Sequence, residues 1–97
     1  MQHLWTLSGK YYGYLDNGNL WTKDGKHVGR LIDNDLYGPD GHYMGEIIDQ
    51  NRLISNPRKA IRRKPTFPVL SSKGKVSSQG SKPSSPTHPG FKDFLQF

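Results

Sequence analysis

The sequence predicts an all-β protein: a small antiparallel repeat of three to four β-hairpins curled about a pseudo-fourfold axis, followed by a basic, mostly disordered tail. Three observations carry this. Leu, aromatic and Gly residues recur at intervals of 16 through the first half of the chain. Each interval holds two turn signals. Beyond residue 64 the composition turns to Pro, Ser and Lys.

The repeat is read column by column. Leu4, Leu20 and Leu36 keep the interval, as do Trp5, Trp21 and Tyr37, then Gly9, Gly25 and Gly41, then Gly13, Gly29 and Gly45. Leu15, Leu31 and Ile47 follow, then Asp16, Ile32 and Ile48. Ser8-Gly9, Asp24-Gly25 and Asp40-Gly41 are two-residue turn signals, because Gly accepts positive φ and Asp or Ser caps its own turn. A second, Asx-rich turn closes each unit at Asp16-Asn17-Gly18-Asn19, Asp33-Asn34-Asp35 and Asp49-Gln50-Asn51. The runs between them, such as Tyr11–Leu15 and Val28–Ile32, are rich in the aromatic and β-branched residues that suit strands. The chain therefore reads as a meander of strand, tight turn, strand, Asx turn. The Gly inside each second strand marks a bulge, a bend or a close backbone approach, which would let the hairpins curl and close on themselves.

A fourth unit over 52–67 is degenerate. Arg52-Leu53-Ile54 reads as a strand, and two continuations stay open from there. Arg58–Arg63 is either an imperfect closing strand, or Asn56 caps a short helix with Pro57 at its first position.

Tandem 16-residue hairpins with Asp-Gly and then Gly, best seen in Trp21-Thr22-Lys23-Asp24-Gly25-Lys26-His27-Val28-Gly29, resemble the 4-fold β-flower family of bacteria over about residues 2–64. The resemblance implies four hairpins set like petals about a pseudo-fourfold axis. It implies no activity and no functional residues, since the shared pattern is structural.

Bulk composition sets the remaining bounds. Residues 1–51 hold four Lys/Arg against seven acids, a net of −3, while 52–97 hold ten against Asp93 alone, a net of +9. Such asymmetry points to an acidic partner for the basic half. Without Cys there is neither a disulfide framework nor a Cys-based zinc site. The N-terminus has no secretory pattern. No apolar run reaches the roughly 20 residues that a spanning helix needs. The expectation is a cytoplasmic protein that does not enter a membrane. The domain division expected is 1–64 for the hairpin repeat and 65–97 for the tail.

The tail carries five of the seven prolines, and ordering it would cost more entropy than its burial returns. Thr66–Leu70 is the exception, apolar enough to lie against the hairpins. At the C-terminal end Phe91, Phe94 and Leu95 stand at i, i+3 and i+4, the spacing of one helical turn, with Phe97 beyond. This segment either folds back onto its own domain or docks on a partner.

Candidate chemistry is limited. Arg58, Lys59, Arg62, Arg63 and Lys64 form a run that would meet phosphates with steep salt dependence, or would simply be solvated. Tyr11 and Tyr14 occupy columns filled elsewhere by His27 and Tyr43, or by Arg30 and Glu46, and are expected to be exposed. The variable columns are where a ligand site is sought. His3, His27, His42 and His88 share no metal spacing, and the acids at the Asp-Gly turns are explained by turn chemistry. No cofactor, metal or enzymatic signature is found. The leading expectation is a non-enzymatic module that binds a protein partner through the repeat surface or through Phe91, Phe94, Leu95 and Phe97. The alternative is nucleic-acid binding through the run at 58–64 and the tail lysines. A homo-oligomer is compatible with either.

Overall fold

The computed structural model describes residues 1–77, 79–84 and 90–94. Eight strands form one sheet in sequential order: β1 (Gln2–Thr6), β2 (Tyr11–Asp16), β3 (Asn19–Thr22), β4 (His27–Ile32), β5 (Asp35–Tyr37), β6 (Tyr43–Ile48), β7 (Arg52–Ser55) and β8 (Lys92–Asp93). Neighbours pair antiparallel, and β1 also pairs parallel with β7 at Trp5↔Arg52 and Thr6↔Leu53. That parallel contact closes the first seven strands into a ring and removes the open edges of a flat meander. An odd number of alternating strands leaves first and last pointing the same way, so closure has to be parallel. The three hairpins β1–β2, β3–β4 and β5–β6 are petals 1, 2 and 3.

The two turn types exchange the roles read from sequence. The two-residue turns are the Asx ones. Asn17-Gly18, Asp33-Asn34 and Asp49-Gln50 all hold both central residues at positive φ, the geometry that matches strand twist. The Ser-Gly and Asp-Gly pairs sit instead in longer loops, of four residues in petals 1 and 2 and five in petal 3. In petal 1 the Gly9 amide bonds to the Thr6 carbonyl at 3.0 Å, and the register slips between Leu4 and Trp5. Petals 2 and 3 repeat the slip at Leu20/Trp21 and Leu36/Tyr37. The bulge lengthens the loop and turns its Gly carbonyl outward.

Leu4, Leu20, Leu36 and Leu53 have no solvent exposure and form the centre of the core. Burying one such side chain contributes about 1.5–3 kcal/mol. The Gly column stands where the next strand comes close. A Cβ on Gly13, Gly29 or Gly45 would run into the carbonyl oxygen of Trp21, Tyr37 or Ile54 respectively. The bend expected there is a close backbone approach between neighbouring petals.

The fourth unit follows the second open reading, the capped turn: no strand forms over 58–63, where Arg63 makes only an isolated bridge to His42. Strand β7 runs through Ser55. Asn56 then caps a 3-10 turn at Pro57–Lys59 by accepting from the Arg58 amide at 3.0 Å, with Pro57 first in the turn. The return strand of this petal comes from the far end of the chain. Ile54 pairs with Asp93 as Tyr37 pairs with Tyr43, so Phe94 follows in the column of Tyr12, Val28 and Met44. The helical turn expected over 91–95 is thus replaced at Lys92–Asp93 by a strand. A single helical turn gains little by itself, whereas the β7 edge offers backbone partners and the core offers a slot for the ring.

The tail has no helix or strand among its described residues before Lys92. It nevertheless follows the petals in reverse order. The amides of Lys64, Lys73 and Lys82 donate to the carbonyls of Gly41, Gly25 and Gly9 at 2.9, 2.8 and 2.9 Å. Nine residues separate successive contacts, against 16 between the glycines. We call this segment the strap.

Candidate interaction surface

Each strap contact is built the same way. The Lys82 ammonium lies 4.4 Å from the Trp5 ring centroid and the Lys73 ammonium 4.4 Å from that of Trp21. Lys64 stands 5.9 Å from Tyr37. A cation over an aromatic face gives roughly 0.5–1 kcal/mol where partly exposed. Phe67 and Val76 add main-chain bonds to the Pro39 and Lys23 carbonyls at 3.0 and 3.1 Å. As expected for 66–70, Phe67 packs against the domain. Its ring is 5.7 Å from that of His27 and lies under the Arg30 guanidinium at 4.4 Å.

The strap also explains a correction. Tyr11 and Tyr14 are buried, Tyr14 with 1 % exposure. Tyr14 stacks on Trp21 at 6.4 Å and Tyr11 lies edge-on to Trp5 at 5.6 Å. Columns that vary in chemistry are covered here, because tail lysines and neighbouring rings lie over them.

His27 joins strap to petal. Its Nδ1 accepts from the Leu70 amide at 2.9 Å, so Nε2 carries the proton and donates to Asn19 Oδ1 at 3.0 Å. Burial, the larger cause, and the charge of Arg30 lower its pKa below 6.5. The unfolded chain therefore binds this proton more readily, and the His27 contribution is complete above pH 6.5 and falls as the pH drops below it. Urea midpoints at pH 7.5 and 5.5 are expected to separate more in the wild type than in His27→Gln. Equal separations would exclude His27 as the source.

The basic run is largely paired within the molecule. Lys59 Nζ lies 3.0 Å from both Asp35 Oδ1 and Glu46 Oε2. The hydrogen bond to Glu46, foremost, and that to Asp35 raise its pKa. Arg62 reaches Asp35 Oδ2 at 3.3 Å, and Lys64 reaches Asp33 Oδ2 at 3.3 Å. Arg58 and Arg63 are exposed, and the Arg63 guanidinium donates to the Ala60 and Arg62 carbonyls. The Tyr43 hydroxyl completes this corner, donating to Glu46 at 2.9 Å and accepting from the Asn56 amide at 3.0 Å.

The aromatic end is placed as follows. Phe94 is 4 % exposed, set edge-on to Tyr12 at 5.2 Å. Phe91 is half-buried, and Leu95 and Phe97 lie outside the described residues. Asp93 accepts from the Leu7 and Ser8 amides at 2.7 and 3.2 Å, tying the segment to petal 1. From sequence, Arg52 is only the first residue of a strand, with no role for its side chain. Buried, it donates to the Thr6 and Leu7 carbonyls at 3.2 Å and to Pro83 at 2.6 Å, joining β7, petal 1 and strap. Its position in a column occupied by Asn19 and Asp35 is the only signal, visible once the register of β7 is known.

Between the tips of petals 1 and 2 opens a cleft of about 700 Å³. Its rim carries Lys10, Lys23, Asp24 and Lys26, and its walls Tyr12, Val28 and Phe94.

A closed ring of hairpin petals bound by its own tail defines an architectural class. The chain belongs to the 4-fold beta flower protein family, whose model matches residues 1–93 and so takes in the strap and Asp93. Neither the curated proteins nor the solved structures yield a match.

Proposed function

We propose that this is a non-enzymatic interaction module that binds a protein partner on the part of the repeat surface its strap leaves open. The observation that supports this is the internal use of the two competing segments. Lys59, Arg62 and Lys64 already face Asp35, Glu46 and Asp33, and the Phe94 ring fills the core. A phosphate backbone would have to compete with these carboxylates, while the petal 1–2 cleft keeps apolar walls beneath cations that make no ion pair among the described residues.

Two measurements on the full chain test the reading. Labelled DNA and RNA followed by anisotropy across a salt series are expected to bind only weakly at physiological salt. Selection from a displayed random-peptide library is expected to enrich binders. Tight nucleic-acid binding that Arg62→Glu with Arg63→Glu abolishes, together with an unenriched library, would reverse the assignment.

A further inference from the structure

The cleft between petals 1 and 2 is open for a reason visible in the register. Four side chains occupy one column: Tyr12, Val28, Met44 and Phe94. Tyr12, Met44 and Phe94 are buried in the central cluster, while Val28 is only partly buried against it. Val is the smallest of the four, so the gap falls beside it.

The cleft has the composition of a binding site. Lys10 stands on the petal 1 loop, Lys23 and Lys26 on the petal 2 loop. All three are exposed and without an ion pair among the described residues, unlike Lys59, Lys64 and Lys73. The lining holds two acids, Asp24 and Asp93, the latter bound to the Leu7, Ser8 and Phe94 amides, so the three cations outnumber the carboxylates. Tyr12 also lines the cleft. It is 8 % exposed, and its hydroxyl is buried away from solvent with no hydrogen-bond partner among the described residues. Burial raises its pKa, so at neutral pH the phenol keeps its proton.

We propose that this cleft docks an acidic segment of a partner protein, whose carboxylates meet Lys10, Lys23 and Lys26 while an apolar or aromatic side chain seats on Tyr12, Val28 and Phe94. This rests on the interaction-module reading and gives it a ligand chemistry. Cations on two separate loops suit several carboxylates spaced along an extended chain. The volume, within the roughly 300–1,000 Å³ of pockets that enclose drug-sized groups, suits one large anchor side chain.

The test uses the full chain and two labelled probes, Glu-Glu-Trp-Glu-Glu and Lys-Lys-Trp-Lys-Lys, read by anisotropy. The acidic probe is expected to bind saturably and the basic one not. Val28→Phe, which fills the cleft with a side chain the column already accepts at position 94, is expected to weaken the acidic probe about tenfold without lowering the melting temperature. Lys23→Glu with Lys26→Glu should weaken it by a similar factor and flatten its salt dependence. Arg63→Glu, remote from the cleft, should leave it unchanged. Equal affinity in wild type and Val28→Phe, equal binding of both probes, or no saturable binding of the acidic probe each overturns the proposal. Library-selected peptides insensitive to Val28→Phe would keep the interaction module and remove this cleft from it. An empty library would remove both.

Discussion

Phe94→Ala is expected to lower the unfolding free energy by about 3–5 kcal/mol, the range for truncating a buried aromatic. The ring is 4 % exposed, stands 5.2 Å from Tyr12 and lies beside Gly45. Its loss empties one of the four places in the column of Tyr12, Val28 and Met44 and takes the packing from under β8. Asp93 would then hold the Leu7 and Ser8 amides from a loosened strand. Domains of this size have about 5–15 kcal/mol in total, so the variant should be close to unfolding at 37 °C. Urea denaturation followed by tryptophan fluorescence reads the loss. Phe94→Leu, which keeps most of the volume, should lose less than half as much. A loss below about 1 kcal/mol for the alanine variant would mean that another group fills the fourth place.

Gly25→Ala is expected to cost about 3 kcal/mol, and Gly18→Ala about 1 kcal/mol. Both glycines have positive φ, +85° and +77°, so an added Cβ strains the two backbones alike. They differ in what the Cβ meets. At Gly18 there is open space, while at Gly25 it overlaps the Lys73 carbonyl. The strap would have to lift, breaking the Lys73–Gly25 and Val76–Lys23 main-chain bonds and drawing Lys73 off Trp21. Amide hydrogen exchange at Lys73 and Val76 should quicken in Gly25→Ala and stay unchanged in Gly18→Ala. Matching effects from the two substitutions would show that the strap contributes nothing at this tip.

The petals were legible because their determinants are side chains in fixed columns: Leu at the axis, aromatics at the pair positions, Gly where strands crowd. The Asx turns were equally visible, since positive φ at Asn17, Asp33 and Asn34 selects those residue types. The strap was not. Its nine-residue spacing can be read at Lys64, Lys73 and Lys82, but nothing in the sequence pairs these lysines with Tyr37, Trp21 and Trp5, and the main-chain bonds beside them leave no mark on residue identity. The fourth petal escaped for another reason. Ile54 finds its partner at Asp93, 39 residues on, and a search for a 16-residue period cannot reach across that interval. The burial of Tyr14 was misread because a variable column was equated with an exposed one, although here the covering atoms belong to Trp21 and to the tail. The partners of the basic run, Asp33 in the turn after β4 and Asp35 and Glu46 on petal 3, become its neighbours only when β7 pairs with β6.

The match of nine strap residues to each petal sets how such a ring can grow. Nine residues extend to at most about 30 Å, and each such step carries the strap from one petal tip to the next. A duplication that copied one 16-residue petal would leave the tail a step short and Lys82 facing the wrong tip. Enlarging the ring therefore takes two insertions in separate stretches of the gene, one ahead of Arg52 and one beyond Lys64. The unit of expansion is a matched pair, and neither half is useful to the fold without the other.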